Sequence, residues 1–276
     1  MTSYSMRWAF LLVLFTPTVS AFGQGGPPLL TDDPGTPGPH NWEINIGLTT
    51  DRRSTEREFE APILDLNYGV GKRIQLKFEI PFVIHGSDGE PTRSGLGNSL
   101  MGVKWRFYDD KKHDLQLSMY PQFGFNNPTA SVSRGIVDPG RSFLLPVEVT
   151  KKVGPIDVDG EAGYNFTQSR PDNWIAGLAL GHQATPRLEV LGEIYRNAEI
   201  GTSIHNNTFD FGGRLKLHNP VLLLFMAGRS FRGPASGQSQ FIGYFGLQFL
   251  LGKQPHEEEP ERPQFPAIRT QLYPAN

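Results

Sequence analysis

Between Trp42 and Leu251 the chain is written in short runs that alternate apolar and polar residues, and this period of two constrains the fold more than any other feature. The clearest run is Ile74-Gln75-Leu76-Lys77-Phe78-Glu79-Ile80. Trp42-Glu43-Ile44-Asn45-Ile46-Gly47-Leu48 and Leu64-Asp65-Leu66-Asn67-Tyr68 repeat it. Strict alternation places one face of a strand against apolar surroundings and the other against water or polar groups. Further runs fall at 99–107, 115–125, 145–153, 156–166, 174–180, 188–195, 209–217, 221–231 and 241–251. Together they predict about twelve strands, most of them near the roughly 9–11 residues that cross a bilayer at a tilt.

The connections sharpen the reading. Those at 69–73, 154–155, 184–187 and 219–220 are tight, and 108–114 is nearly so. Those at 51–59, 85–96, 126–142, 168–173, 197–208 and 232–239 are mostly longer. A barrel of even strand number with short periplasmic turns and long outer loops alternates in this way, whereas a soluble sandwich has no reason to. The predicted fold class is therefore all-β: an antiparallel transmembrane β-barrel of about twelve strands with both termini periplasmic. Its outward face would carry Ile74, Leu76, Phe78, Ile80 and Phe82, then Met101, Val103, Trp105 and Phe107, and finally Phe241, Phe245, Leu247 and Phe249. Charges are rare there, as expected where one at the bilayer midplane costs roughly 2–4 kcal/mol.

The lumen face gathers the charges: Asp65, Lys77, Glu79, Lys104, Arg106, Glu148, Asp159, Glu161, Glu189, Glu193, Asp210, Arg214 and Lys216. Folding the hairpin symmetrically about the tight turn at 69–73 sets Asp65 opposite Lys77. Folding at Gly154-Pro155 sets Lys152 opposite Asp157 and Glu148 opposite Glu161. Opposite charges across strands stabilise modestly, while a like pair needs water or a cation nearby.

The remaining segments divide the chain. At the start, Arg7 precedes the apolar run Trp8 to Phe15, and Val19-Ser20-Ala21 supplies small residues for cleavage, so 1–21 reads as a signal peptide. Residues 22–40 are rich in Gly and Pro and lack periodicity, so they read as a periplasmic leader or plug. The barrel occupies 41–251, and 252–276 is a polar periplasmic tail. No later stretch approaches the roughly 20 apolar residues of a spanning helix, and the mean hydropathy is −0.35. The chain has no cysteine, so no disulfide framework supports it. A net charge of −2 gives no basic footprint for nucleic acid. The expected partners are outer-membrane lipid and lipopolysaccharide, the barrel-assembly machinery and a small-molecule solute.

Leu30-Thr31-Asp32-Asp33-Pro34, followed by Thr36-Pro37-Gly38 and Trp42-Glu43, resembles the outer-membrane proteins named for the meta-pathway of phenol degradation. Tyr68-Gly69-Val70, Glu79-Ile80-Pro81-Phe82, Gly95-Leu96-Gly97-Asn98, Gly102-Val103-Lys104 and Gly177-Leu178-Ala179-Leu180-Gly181 add to the likeness, which extends from about Pro27 to Leu251. Asn98 stands where the family pattern carries Asp. The resemblance implies a barrel linked to uptake of small, often aromatic compounds.

Little in the sequence points to catalysis. The seven histidines make no metal-ligand spacing, His85 with Asp88 and Ser203 with His205 are the only near pairs in the outer loops, and no cofactor motif occurs. The expectation is a chain that is not an enzyme, with no cofactor and no metal. Asp32-Asp33 fits either a cation at the barrel mouth or an Asx-turn before Pro34. A break in alternation is more informative: Val221-Leu222-Leu223-Leu224-Phe225-Met226 is apolar on both faces. With Ile242, Tyr244 and Leu250 on the last strand, this gives the lumen one apolar wall. Leu222, Leu224, Met226, Ile242 and Tyr244 then form either a track for an apolar or aromatic solute or a seat for Pro27-Pro28-Leu29-Leu30 of the leader. The function expected is passive uptake of such solutes through an outer-membrane channel. The alternative is a non-transporting structural, adhesive or hydrolytic barrel with a filled lumen.

Overall fold

The structure is a computed structural model that describes residues 26–126, 129–231 and 238–252. The signal-peptide segment and the tail beyond Gly252 lie outside the described residues. The strands are β1 (Trp42–Arg52), β2 (Glu56–Val70), β3 (Ile74–Ser87), β4 (Arg93–Leu96), β5 (Ser99–Asp110), β6 (Leu115–Met119), β7 (Gln122–Phe125), β8 (Ser142–Val153), β9 (Ile156–Thr167), β10 (Asn173–Thr185), β11 (Leu188–Glu199), β12 (His205–His218), β13 (Val221–Ser230) and β14 (Phe241–Leu251), with one short helix, α1 (Thr129–Ser133).

Every pairing is antiparallel, and β1 pairs with both β2 and β14, which closes the sheet. β4 and β5 both pair with β3, so they are two pieces of one stave. β6 and β7 both lie between β5 and β8 and form another. The result is a closed barrel of twelve staves. The break between β6 and β7 has a chemical cause. Pro121 interrupts that stave next to Tyr120, which stands opposite Pro146 of β8, and neither proline can donate to the ladder. The Tyr120 N–H instead donates to the Pro146 carbonyl at 3.2 Å.

The distribution of side chains is inverted relative to a water-soluble protein. Phe211, Phe245, Trp174 and Trp105 turn outward and are more than half exposed, whereas Lys104, Glu148, Asp65 and Asp210 are buried inside. An apolar exterior around a polar, alternating interior is the arrangement of a barrel that faces lipid. Tilted and edge-on aromatic pairs, such as Trp42 with Tyr68 and Tyr164 with Trp174, border the outer surface.

Three expectations need correction. The segment 85–96 is not wholly a connection: β3 runs to Ser87 and β4 occupies Arg93–Leu96, so only 88–92 lie between them. The segment 51–59 is not a long loop: β1 runs to Arg52, β2 begins at Glu56, and only 53–55 remain between them. Charged residues occupy both faces here, so the apolar alternation fades although the ladder continues. The β2–β3 register also differs by two residues. Lys77 pairs with Asn67, and Asp65 pairs with Glu79, because the turn is 71–73 with Gly71 at φ 62. Lys77 still reaches Asp65 diagonally, at 3.0 Å. The β8–β9 hairpin pairs Glu148 with Glu161 and Lys152 with Asp157, the register read from the sequence.

Candidate functional site: the lumen and the leader inside it

The leader enters at the end of the barrel that carries the tight turns. There the His40 N–H donates to the Gly69 carbonyl, and the Gly69 N–H donates to the Asn41 carbonyl, both at 2.9 Å. A side chain at Gly69 would collide with the Gly38 carbonyl, so glycine is required where the leader crosses the rim. Further in, residues 26–33 fold into a compact turn. The Leu29 N–H donates to the Gly26 carbonyl at 3.0 Å, and the Gly26 N–H donates to the Thr31 carbonyl at 3.1 Å. Thr31 lies against Gly177 of β10, where a Cβ would overlap its hydroxyl.

The lumen charges hold this turn. Glu193 of β11 accepts two backbone N–H groups, from Leu30 at 2.7 Å and from Thr31 at 2.8 Å. Glu161 of β9 accepts the Asp32 N–H at 3.1 Å. From the opposite wall, Lys104 of β5 donates to the Asp32 carboxylate at 2.7 Å and to the Asp33 carbonyl. Lys104 lies 3.6 Å from Glu148 and 4.6 Å from the centroid of the Tyr120 ring. Glu148 in turn accepts the Ser118 hydroxyl. Arg214 of β12 pairs with Glu189 at 3.1 Å and donates to the Pro27 carbonyl at 3.4 Å. Carboxylates thus take the N–H groups of the turn and cations take its oxygens. Hydrogen bonds with one ionised partner are stronger than neutral ones.

The two leader aspartates have separate tasks. Asp32 faces Lys104 and also accepts the Asp33 N–H at 2.8 Å. Asp33 accepts the Gly35 N–H at 2.5 Å across Pro34, which makes an Asx-turn.

The apolar wall lies on the other side of the turn. Leu224, Met226 and Tyr244 are buried in one cluster with Leu29, Ala179 and Leu191, and Leu222 and Ile242 pack against it. All five wall residues read from the sequence therefore come together, and a leucine of the leader covers them. Gly47 makes room for the Tyr244 ring, since a Cβ there would overlap it. Ala179 and Leu191 escaped the sequence reading, although their parity on β10 and β11 matches the lumen face.

Four more of the predicted lumen charges, Asp65, Lys77, Glu79 and Arg106, lie in two further places, while Asp159 accepts the Thr150 hydroxyl at 2.6 Å. Lys77 bridges Asp65 at 3.0 Å and Glu79 at 2.9 Å. Asn45 joins Asp65 at 3.0 Å, and Gln75 joins Asn67 at 2.8 Å. Arg106 lies apart at the tight-turn end, 3.6 Å from Asp109 and donating to the Lys72 carbonyl. Between the leader and the Lys77 group a polar cavity of about 20 Å³ remains, lined by Gly26, Asp32, Asp65, Lys77, Lys104 and Tyr120. That is room for about one water. At this level the leader fills the bore.

No family model and no curated protein matches the chain. Solved structures do. The COG4313 outer membrane channel from Pseudomonas putida F1 superposes with a TM-score of 0.64 at 13% identity, covering 83% of this chain and 100% of that one. The NanC porin gives 0.55 at 8% identity and the KdgM porin 0.51 at 9%, each covering 76% of this chain and 100% of its own. At these identities the likeness concerns architecture, and by that architecture the chain has the fold of the outer-membrane β-barrels.

Proposed function

We propose that this protein is an outer-membrane channel for passive uptake of small apolar or aromatic solutes, with residues 26–40 as the gate of its lumen. One observation carries the reading: Leu29 occupies the wall of Leu224, Met226 and Tyr244. A wall that accepts a leucine side chain from water accepts an apolar solute by the same transfer free energy. When the leader swings out, the wall is bared across from Lys104, with Glu161 and Glu193 along its edge, and these charges keep the bore wet. A wholly charged lumen would reject apolar solutes through their desolvation cost. In this reading the tight turns and the leader face the periplasm and the longer connections face outward. The likeness to channels and porins and the resemblance to the phenol meta-pathway family both support it.

A second reading has an observation of its own. The cavity beside the leader is small, and Lys104 is buried with acceptors on several sides, as in a permanently filled, non-transporting barrel.

Uptake into liposomes separates the two. Benzyltrimethylammonium and choline carry the same fixed charge and do not cross lipid unaided. A selective channel admits the aromatic cation several-fold faster, and Leu224→Asp abolishes the difference. Equal rates unaffected by Leu224→Asp leave a general porin. No uptake of either, even with Leu29→Asp and Glu193→Gln combined to release the leader, establishes the filled barrel.

A further inference from the structure

On β1, Thr50 and Arg52 continue the outward alternation of Trp42, Ile44, Ile46 and Leu48. Across the ladder, Thr50 faces Phe59 and Arg52 faces Arg57 on β2, while Arg52 faces Phe241 on β14. These side chains share the outer surface at the end of the barrel opposite the tight turns and line a groove of about 370 Å³. Two arginines directly opposite one another are mutually repulsive. Arg52 has no side-chain hydrogen bond or ion pair among the described residues. Arg57 has only the exposed Asp88, at 3.3 Å, and such a surface pair stabilises little.

The pattern recurs around the rim. Past β14, two strands from β1, Arg229 of β13 faces Phe209 of β12, and Arg196 of β11 lies one outward position further along, opposite Asn207. Arg196 donates to the Asn207 side chain at 3.2 Å, and Arg229 has no side-chain partner among the described residues. Among the described residues, every charged side chain that the strands turn outward at this end is an arginine: Arg52, Arg57, Arg196 and Arg229. The acidic residues at the same height, Asp51, Glu56, Glu58, Glu60 and Glu199, have inward parity.

We infer that the Arg52–Arg57 groove binds a phosphate group of a phosphorylated glycolipid in the outer leaflet. The chemistry is complementary throughout. Planar guanidinium forks bind phosphate oxygens two at a time, and an anion between Arg52 and Arg57 removes their repulsion. Phe241 lies beside Arg52 and Phe59 one outward position toward the apolar band, where the acyl chains of the same molecule would run. A free phosphate makes no use of those rings. The inference rests on the proposed membrane location and on the longer connections facing outward, but not on solute transport.

The test is native mass spectrometry of the full-length barrel in detergent, titrated with hexa-acylated lipid A carrying both phosphates or with the same lipid after enzymatic dephosphorylation. The phosphorylated form is expected to bind at least tenfold more tightly. Arg52→Gln with Arg57→Gln is expected to erase that preference, and millimolar inorganic phosphate is expected not to compete. Arg52→Lys, which keeps the charge and loses the fork, is expected to bind at an intermediate level. Equal binding of the two lipids by the native protein overturns the inference, whether or not the double variant folds. So does an unchanged preference in a folded double variant, or full displacement by inorganic phosphate. None of these outcomes bears on permeability, so the site and the channel reading fail independently.

Discussion

Glu193 accepts the backbone N–H of Thr31 at 2.8 Å, and its other oxygen takes Leu30 at 2.7 Å. One carboxylate on the barrel wall thereby clamps two consecutive peptide groups of the leader, more than 160 positions away in sequence. The clamp bonds to backbone rather than to side chains, so it fixes the path of the leader whatever residues it carries.

Glu193→Gln keeps the shape of the clamp and removes its charge. Each charge-assisted bond to a buried group is worth about 1.5–3 kcal/mol. The ratio of displaced to seated leader should therefore rise roughly tenfold or more per bond weakened. A spin label at Thr36 is expected to report this as a growing mobile component, while the heat-modifiable gel mobility of the barrel stays unchanged.

Lys104 is the single lysine between Asp32, the Asp33 carbonyl and Glu148. Lys104→Met leaves those acceptors buried beside one another without a cation. Loss of one partner from a buried charged cluster costs about 3–5 kcal/mol. Urea unfolding in lipid vesicles should show a lower midpoint of that order. The companion variant Lys104→Met with Asp32→Asn and Glu148→Gln should recover part of the loss.

Gly69→Val addresses the rim. Any side chain there meets the Gly38 carbonyl, so the leader must leave its crossing point while the β2–β3 hairpin remains paired. Limited proteolysis from the tight-turn side is expected to remove the segment before Trp42 in the variant and to spare it in the native chain.

Phe245 projects outward from β14 between Leu48 and Phe225 of the adjoining strands. Phe245→Arg places a charge on the apolar band, at a cost of roughly 2–4 kcal/mol near the bilayer midplane. Assembly into vesicles should fail or slow severely. Gln248→Arg, on the lumen face of the same strand, tests the register, because it is expected to assemble better than Phe245→Arg.

Much of this molecule was legible in the sequence, and the reason is physical. Lipid on one side and polar groups on the other force alternation, so Ile74 to Ile80 announces both its strand and its faces. The signal weakens where that environment ends. Arg57, Phe59 and the glutamates at 56 and 58 read as a loop, yet β2 and β1 pair there, because beyond the apolar band the outward face tolerates charge. The Asp65–Lys77 bond was foreseen through the wrong register, since moving the centre of the turn by one residue, from Gly71 to Lys72, shifts the pairing by two positions while preserving which face each residue takes. The wall of Leu224, Met226 and Tyr244 was visible as a lapse in alternation. That Leu29 covers it was only one of two alternatives, because the leader has no periodicity of its own and its path is dictated by Glu193, Glu161 and Lys104 across the bore.

The central claim is that the leader gates the lumen, and one measurement bears on it most directly. The chain has no cysteine, and a Cβ placed on Gly177 lies 3.1 Å from that of Thr31, close to the spacing a disulfide bridges. Thr31→Cys with Gly177→Cys therefore ties the leader to β10 under oxidising conditions and frees it on reduction. In liposomes, uptake of benzyltrimethylammonium is expected to fall to the protein-free level when the pair is oxidised and to return on adding reductant, with each single-cysteine variant insensitive to both treatments. Uptake that proceeds equally through the oxidised and the reduced protein would contradict the account.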